Sequence, residues 1–110
     1  MAASYKILGQ ADLAATTLTD VYTVPASTET IISTMILANR TGTATSFRIA
    51  IREDGDAVAD KHYIAYGVPL AANDSTTLTL GITLEATDVV SVYSAAEDVS
   101  VNIFGAEIPA

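Results

Sequence analysis

The sequence predicts an all-β protein: a single antiparallel β-sandwich or jelly roll of about eight strands. Threonine, valine and isoleucine make up 34 of the 110 residues, and branching at Cβ fits a pleated sheet better than a helix. Apolar segments alternate with turn residues at intervals of about ten residues, which is typical of a sandwich or barrel. The length fits one domain, and no Gly- or Pro-rich linker divides residues 1–110.

The first four strands are separated by residues that favour turns. Gly9 is expected to end the first strand, and Pro25 the second because proline has no amide hydrogen for a ladder. A turn containing Gly42 closes the third strand, and an Asp-Gly dipeptide at Gly55 closes the fourth. Segment 12–19 is expected to be a loop or a helical turn. The predicted strands are residues 4–8, 20–24, 29–39 and 44–53.

The last four strands follow the same rule. Pro69 is expected to form the turn after the fifth strand, and Gly81 to end the sixth. An acidic turn at Glu97 and Asp98 separates the seventh from the eighth, because aspartate readily hydrogen-bonds its own backbone in turns. The predicted strands are residues 59–67, 75–80, 89–94 and 99–108.

The fourth strand alternates between apolar and polar side chains. Successive residues of a strand point to opposite faces, so Phe47 and Ile49 are expected in the core, with Arg48 and Arg52 facing water or a polar partner. These are two of only five basic residues in an acidic chain. For each arginine, an ion pair across a subunit boundary and plain solvation remain equally open.

The third strand is apolar on both faces. A regular alternation places Ile31, Met35 and Leu37 on one side and Ile32, Ile36 and Ala38 on the other. A two-layer sandwich has one interior, so the second face needs other cover. The sequence therefore predicts self-association near this strand. The candidate contact residues on it are Ile31, Ile32, Met35, Ile36 and Leu37.

Charge and composition narrow the classes of function. Thirteen acidic against five basic residues give a net charge of −8, which disfavours binding to nucleic acid and to anionic membranes. No apolar run approaches the roughly 20 residues needed to span a bilayer. The chain has no cysteine, which excludes disulfides and thiolate metal sites. The first residues lack the pattern of a secretion signal, so the protein is expected to stay in the compartment where it is made.

Candidate chemistry is sparse, and the sequence predicts no enzyme, no catalytic residue, no cofactor and no metal site. The acidic segment 53–56 suggests a solvated turn or weak cation binding, but a calcium loop also needs a bidentate glutamate further on. His62 is the single histidine, and no nucleophile motif accompanies it. Tyr63 and Tyr66 indicate either a recognition surface or packing at a strand end.

Several short segments together resemble small structural proteins of tailed bacteriophages. The resemblance spans nearly the whole chain and rests on no catalytic motif. The segments are residues 15–26, 36–40, 47–50, 61–64, 80–84, 88–93 and 102–105.

The resemblance implies a virion component, first of all a capsid decoration (cement) protein that binds and stabilises a phage capsid. Such proteins are small β domains that often form trimers over junctions between capsid subunits. The implied partners are copies of the chain itself and the major capsid protein or another virion protein. The implied location is the capsid surface, after synthesis in the host cytoplasm. A tail or neck component and a receptor- or glycan-binding β module are the alternatives. Arms at residues 1–8 and 105–110 would reach the partner.

Overall fold

Two four-stranded antiparallel sheets pack face to face in the computed structural model, which describes residues 3–110. Sheet A has the strand order β1-β8-β3-β6, and sheet B has the order β2-β7-β4-β5. Two 3₁₀ turns, Glu53–Gly55 and Asp60–His62, lie between β4 and β5. The strands are β1 Ser4–Leu13, β2 Thr17–Thr23, β3 Thr28–Asn39, β4 Thr45–Arg52, β5 Tyr63–Leu70, β6 Ser75–Leu84, β7 Val89–Ser94 and β8 Val99–Pro109.

The strand pairing defines a jelly roll. β1 pairs with β8, β2 with β7, β3 with β6 and β4 with β5, so the second half of the chain folds back along the first. This wrapping distributes eight strands over two sheets in the jelly-roll order. The predicted all-β sandwich of about eight strands is confirmed.

The core lies between the inner faces of the two sheets. The predicted alternation of β4 is confirmed, because Phe47 and Ile49 have no exposed surface while Arg48 between them faces outward. Aliphatic side chains provide most of the remaining core. Its members are Leu13, Tyr22, Val24, Ile32, Met35, Leu37, Phe47, Ile49, Leu70, Leu84, Val90, Val92, Val99, Val101 and Ile103.

Strand β3 contains an irregularity that the alternation pattern could not reveal. Its register shifts between Ile32 and Thr34 against both neighbouring strands. Against β8 the shift leaves Ser33 as an extra residue of β3, whereas against β6 the additional residue lies on β6, between Thr79 and Ile82. A bulge of this kind reverses the side on which the residues beyond it point. The predicted grouping of Ile31 with Met35 is therefore wrong. Met35 is fully buried between the sheets, whereas Ile31 is 41 % exposed on the opposite face.

Several predicted boundaries are also wrong. Most of segment 12–19 belongs to β1 and β2, and the turn between them includes Thr16 with a φ of 52°. Gly81 lies inside β6, and Pro69 lies inside β5. Proline is tolerated at Pro69 because β5 is an edge strand of sheet B, where a missing amide hydrogen costs no ladder bond on the open side.

Residues 4–8 and 105–109 of the expected terminal arms belong to strands β1 and β8 of sheet A. Ser4 is opposite Glu107 and Lys6 is opposite Gly105, so the two ends of the chain pair with each other through β1 and β8. Neither described end therefore extends away from the domain. Residues 1 and 2 of the predicted N-terminal arm lie outside the described residues.

Candidate interaction surfaces

The outer face of sheet A carries an apolar patch. Tyr5 is 86 % exposed, Ile7 is 50 % exposed and Ile31 is 41 % exposed. Residues directly opposite each other in a ladder share a face. Ile7 is opposite Phe104, while Tyr5 and Ile31 are both opposite Ala106. These five residues form one surface, called the sheet A patch below.

Two bulges shape this patch. The register shifts next to Ser33 on β3 and next to Leu8 on β1, and both shifts flank the same part of β8. There the backbones of β3 and β8 approach so closely that a Cβ on Gly105 would clash with the carbonyl oxygen of Ile31. Glycine is needed at that position, and the local geometry turns Ile31 outward beside Phe104.

The sheet A patch is locally neutral despite the acidic chain. A shallow groove across it is lined by apolar side chains together with Lys6 and Ser33. The Lys6 ammonium lies 3.0 Å from a carboxylate oxygen of Glu107, so its charge is compensated. Such an uncharged apolar area on a small protein is typical of a contact surface.

The other candidates on β3 do not share this surface. Ile32, Met35 and Leu37 have no exposed surface, so they cannot contact a neighbouring subunit, and their place in the predicted contact is corrected. They fill the core because they follow or precede the bulge on the inner side. Ile36 is partly exposed and is opposite Thr77 and Asn102 on the outer face.

The outer face of sheet B carries a second cluster, which the structure assembles around Arg48. The Arg48 guanidinium carbon lies 4.2 Å from the ring centre of Tyr66 and 4.3 Å from that of Tyr93. Tyr63 contacts Tyr66 edge to face, with ring centres 5.0 Å apart. We call these four residues the Arg48 cluster. The predicted candidates Arg48, Tyr63 and Tyr66 are thus neighbours, and Tyr93 joins them.

Arg52 lies on the same strand as Arg48 but has different contacts. Its side chain is 14 % exposed and lies 2.8 Å from a carboxylate oxygen of Asp20. It also donates to the carbonyl oxygens of Gly55 at 3.3 Å and Asp56 at 2.8 Å. Within the chain, Arg52 therefore ties β4 to the following turn and to β2.

Arg48 differs in its partners from three of the other four basic side chains. Lys6, Arg40 and Arg52 each form an ion pair with a carboxylate of the same chain. Within residues 3–110, the Arg48 side chain has neither an ion pair nor a hydrogen bond, and Lys61 has no ion pair. Arg48 is held in place only by aromatic stacking, which leaves its N–H groups available.

The acidic turn after β4 is organised by hydrogen bonds within the chain. The Asp88 carboxylate accepts the backbone N–H groups of Asp54 and Glu85, each at 2.9 Å. Asp54 itself takes a left-handed backbone conformation with a φ of 54°. In the described part of the chain, no three His, Cys, Asp or Glu side chains are grouped so that they could hold a metal ion.

His62 is 94 % buried, with 6 % of its surface exposed, and its Nδ1 accepts the backbone N–H of Ala59 at 2.9 Å. An imidazole in this role stabilises the 3₁₀ turn that precedes β5. The geometry indicates a packing role, with no nucleophile hydrogen-bonded to the ring in the described residues.

A buried polar link joins the two sheets and was not predicted. The Tyr22 hydroxyl of sheet B donates to Glu107 at 2.6 Å and lies 2.8 Å from the Thr30 hydroxyl, both on sheet A. Burial, and then the neighbouring Glu107 carboxylate, raise the pKa of Tyr22 to about 12. The hydrogen bond from Tyr22, followed by that from Lys6, lowers the pKa of Glu107 below its ordinary value. This link is structural and gives no sign of reactivity.

Comparison with known proteins leaves the surfaces as the main guide to function. No model of a known protein family matches the chain, and no curated protein matches it at a significant level. In the part of the chain that the structure describes, no helix is long and apolar enough to cross a membrane.

Proposed function

We propose that the protein is a non-enzymatic virion structural protein: a homo-oligomeric capsid decoration protein that binds and stabilises a phage capsid. The resemblance favours a trimer. The observation that supports the proposal best is the sheet A patch, with Tyr5, Ile7 and Ile31 exposed together on a chain of net charge −8. A jelly roll is found in many viral shell proteins, although fold alone does not assign a function.

The size of the patch suits attachment at many sites. Fully burying one large apolar side chain contributes about 1.5–3 kcal/mol, and three partly exposed ones would contribute about 3–5 kcal/mol per patch. Association also costs several kcal/mol in lost freedom of motion, so one patch alone binds weakly. An oligomer that presents several patches to a repetitive shell gains affinity through multivalency.

The remaining surface supports the same proposal. The acidic side chains outside the patch keep a protein of this kind soluble and oppose random association. Lys6 and Glu107 compensate each other beside the patch, so approach to a shell through this face meets little charge repulsion.

Two alternatives remain as proposals of lower rank. A tail or neck component would use the same surfaces. The number of copies per particle distinguishes it from a decoration protein, for which hundreds of copies are expected. A glycan-binding module would need a free aromatic face, but the Arg48 guanidinium covers one face of Tyr66. Binding on a glycan array would favour that alternative.

Binding to particles tests the proposed function. Purified protein is added to phage particles that lack it, and bound protein is quantified after sedimentation and located by cryo-electron microscopy. We expect Ile31→Ser to weaken binding, whereas Val58→Ser, at a residue equally exposed at 43 % but outside the patch, leaves it unchanged. Particles that neither contain the protein nor bind it would contradict the proposal.

A further inference from the structure

We infer that the Arg48 cluster is the site where one copy of this chain binds a carboxylate of a second copy. The inference rests on the self-association part of the proposed function and adds the surface that carries it. The starting observation is geometric. Tyr66 and Tyr93 lie at 4.2 and 4.3 Å from the Arg48 guanidinium, so they hold the cation in place while it makes no hydrogen bond in residues 3–110.

The chemistry of a stacked guanidinium selects the ligand. Arginine presents its N–H donors as a planar fork that matches a carboxylate, and stacking on aromatic rings leaves that fork free. Tyrosine and arginine are also the residues that most often dominate the binding energy of protein interfaces. Tyr66 is 61 % exposed, so the cluster is open to a partner.

The charge balance of the chain favours a second copy as that partner. Three of the five bases are already paired with carboxylates of their own chain. The exposed side chains of Glu53, Asp56 and Glu85, at one end of the sandwich, have no ion pair among the described residues. We call these three residues the acidic end. Copies of net charge −8 repel each other unless opposite charges face each other at the contact. Arg48 of one copy facing the acidic end of another provides such a pair of opposite charges.

The two surfaces differ, so the contact is heterologous. A heterologous contact either closes into a ring, such as a trimer, or continues as a filament. The sheet A patch, on the opposite face of the sandwich, then remains free for the shell. The inference thus separates the surface for self-assembly from the surface for attachment.

Analytical ultracentrifugation of Arg48 variants tests the inference. We expect Arg48→Met, which keeps an unbranched side chain between the tyrosine rings but lacks the charge, to raise the dissociation constant of the oligomer about thirty-fold. The matched control Lys61→Met removes a cation that also lacks an ion pair but lies outside the cluster, and it should change the constant less than twofold. Circular dichroism and thermal unfolding verify that each variant is folded.

Double-mutant cycles identify the partner side chain. Arg48→Met is combined in turn with Glu53→Gln, Asp56→Asn and Glu85→Gln, and we expect a coupling of at least tenfold for one of the three. An unchanged dissociation constant for Arg48→Met, a wild type that stays monomeric at all concentrations, or no coupling to the acidic end would overturn the inference. Binding to particles is measured separately, so the inference can fail while the proposed attachment stands, and the reverse.

Discussion

Replacing Tyr22 with phenylalanine removes a hydroxyl that links sheet B to two residues of sheet A. In the folded protein this hydroxyl donates to Glu107 at 2.6 Å and lies 2.8 Å from the Thr30 hydroxyl, with only 8 % of Tyr22 exposed. A hydrogen bond to a charged group contributes about 1.5–3 kcal/mol. We therefore expect Tyr22→Phe to lower the free energy of unfolding by about 2 kcal/mol and the melting temperature by about 10 °C.

The hydrogen bond between Tyr22 and Glu107 also makes the stability of the protein depend on pH. The pKa of Tyr22 rises from 10.0 to about 12 on folding, so its contribution is present below pH 10 and is lost as the pH rises from 10 through 12. The pKa of Glu107 is lowered below 4.5, so its contribution is present above pH 4.5 and is lost as the pH falls through the lower, folded-state value. Tyr22→Phe should abolish the alkaline loss and leave part of the acid loss.

Urea unfolding monitored by circular dichroism, at one protein concentration and across pH, measures these effects. Tyr5→Phe is the matched control, because Tyr5 is 86 % exposed and loses only a solvated hydroxyl, with an expected change under about 0.5 kcal/mol. If Tyr22→Phe were as stable as this control at pH 7, the link between the sheets would contribute nothing and the reasoning would be wrong.

Three further predictions concern the bulged region and a turn. Gly105→Ala places a Cβ against the carbonyl oxygen of Ile31 and should lower the free energy of unfolding in urea by about 3 kcal/mol. The control Gly81→Ala, whose Cβ meets nothing within 4 Å, should change it by less than about 1 kcal/mol. Equal losses for the two variants would contradict the close approach of β3 and β8. Ile32→Ala should cost about 2–5 kcal/mol because the side chain is fully buried, whereas Ile31→Ala, on the opposite face, should cost under about 1 kcal/mol. A reversed order of the two costs would contradict the outward position of Ile31. Asp88→Ala leaves two backbone N–H groups without their acceptor and should lower the free energy of unfolding by about 2 kcal/mol in the same assay. An unchanged free energy would show that water replaces the carboxylate.

Local patterns were sufficient where a strand alternates without interruption. In β4, the inward positions of Phe47 and Ile49 and the outward position of Arg48 follow from a period of two. In β3, the same rule failed because Ser33, an extra residue relative to β8, reversed the faces. The excess of β-branched residues and the spacing of turns are summed over the whole chain, so the fold class tolerates such local errors. The side on which Ile31 points does not tolerate them, because a single extra residue reverses it.

The candidate surfaces were only partly predictable for a related reason. Arg48 and Tyr66 could be named as unusual residues, but their stacking depends on how β4 pairs with β5. Tyr5 and Phe104 lie almost 100 residues apart in the sequence, and only the pairing of β1 with β8 brings them together. No local pattern encodes the register of strands that are distant in sequence.

The sequence by itself determined the all-β class, the approximate number of strands and the acidic charge, because these follow from composition and from short-range alternation. Only the tertiary structure decided the jelly-roll pairing, the outward turn of Ile31 and the assembly of the sheet A patch and the Arg48 cluster. Those features depend on contacts between distant strands, where a shift of one residue exchanges the buried and exposed faces.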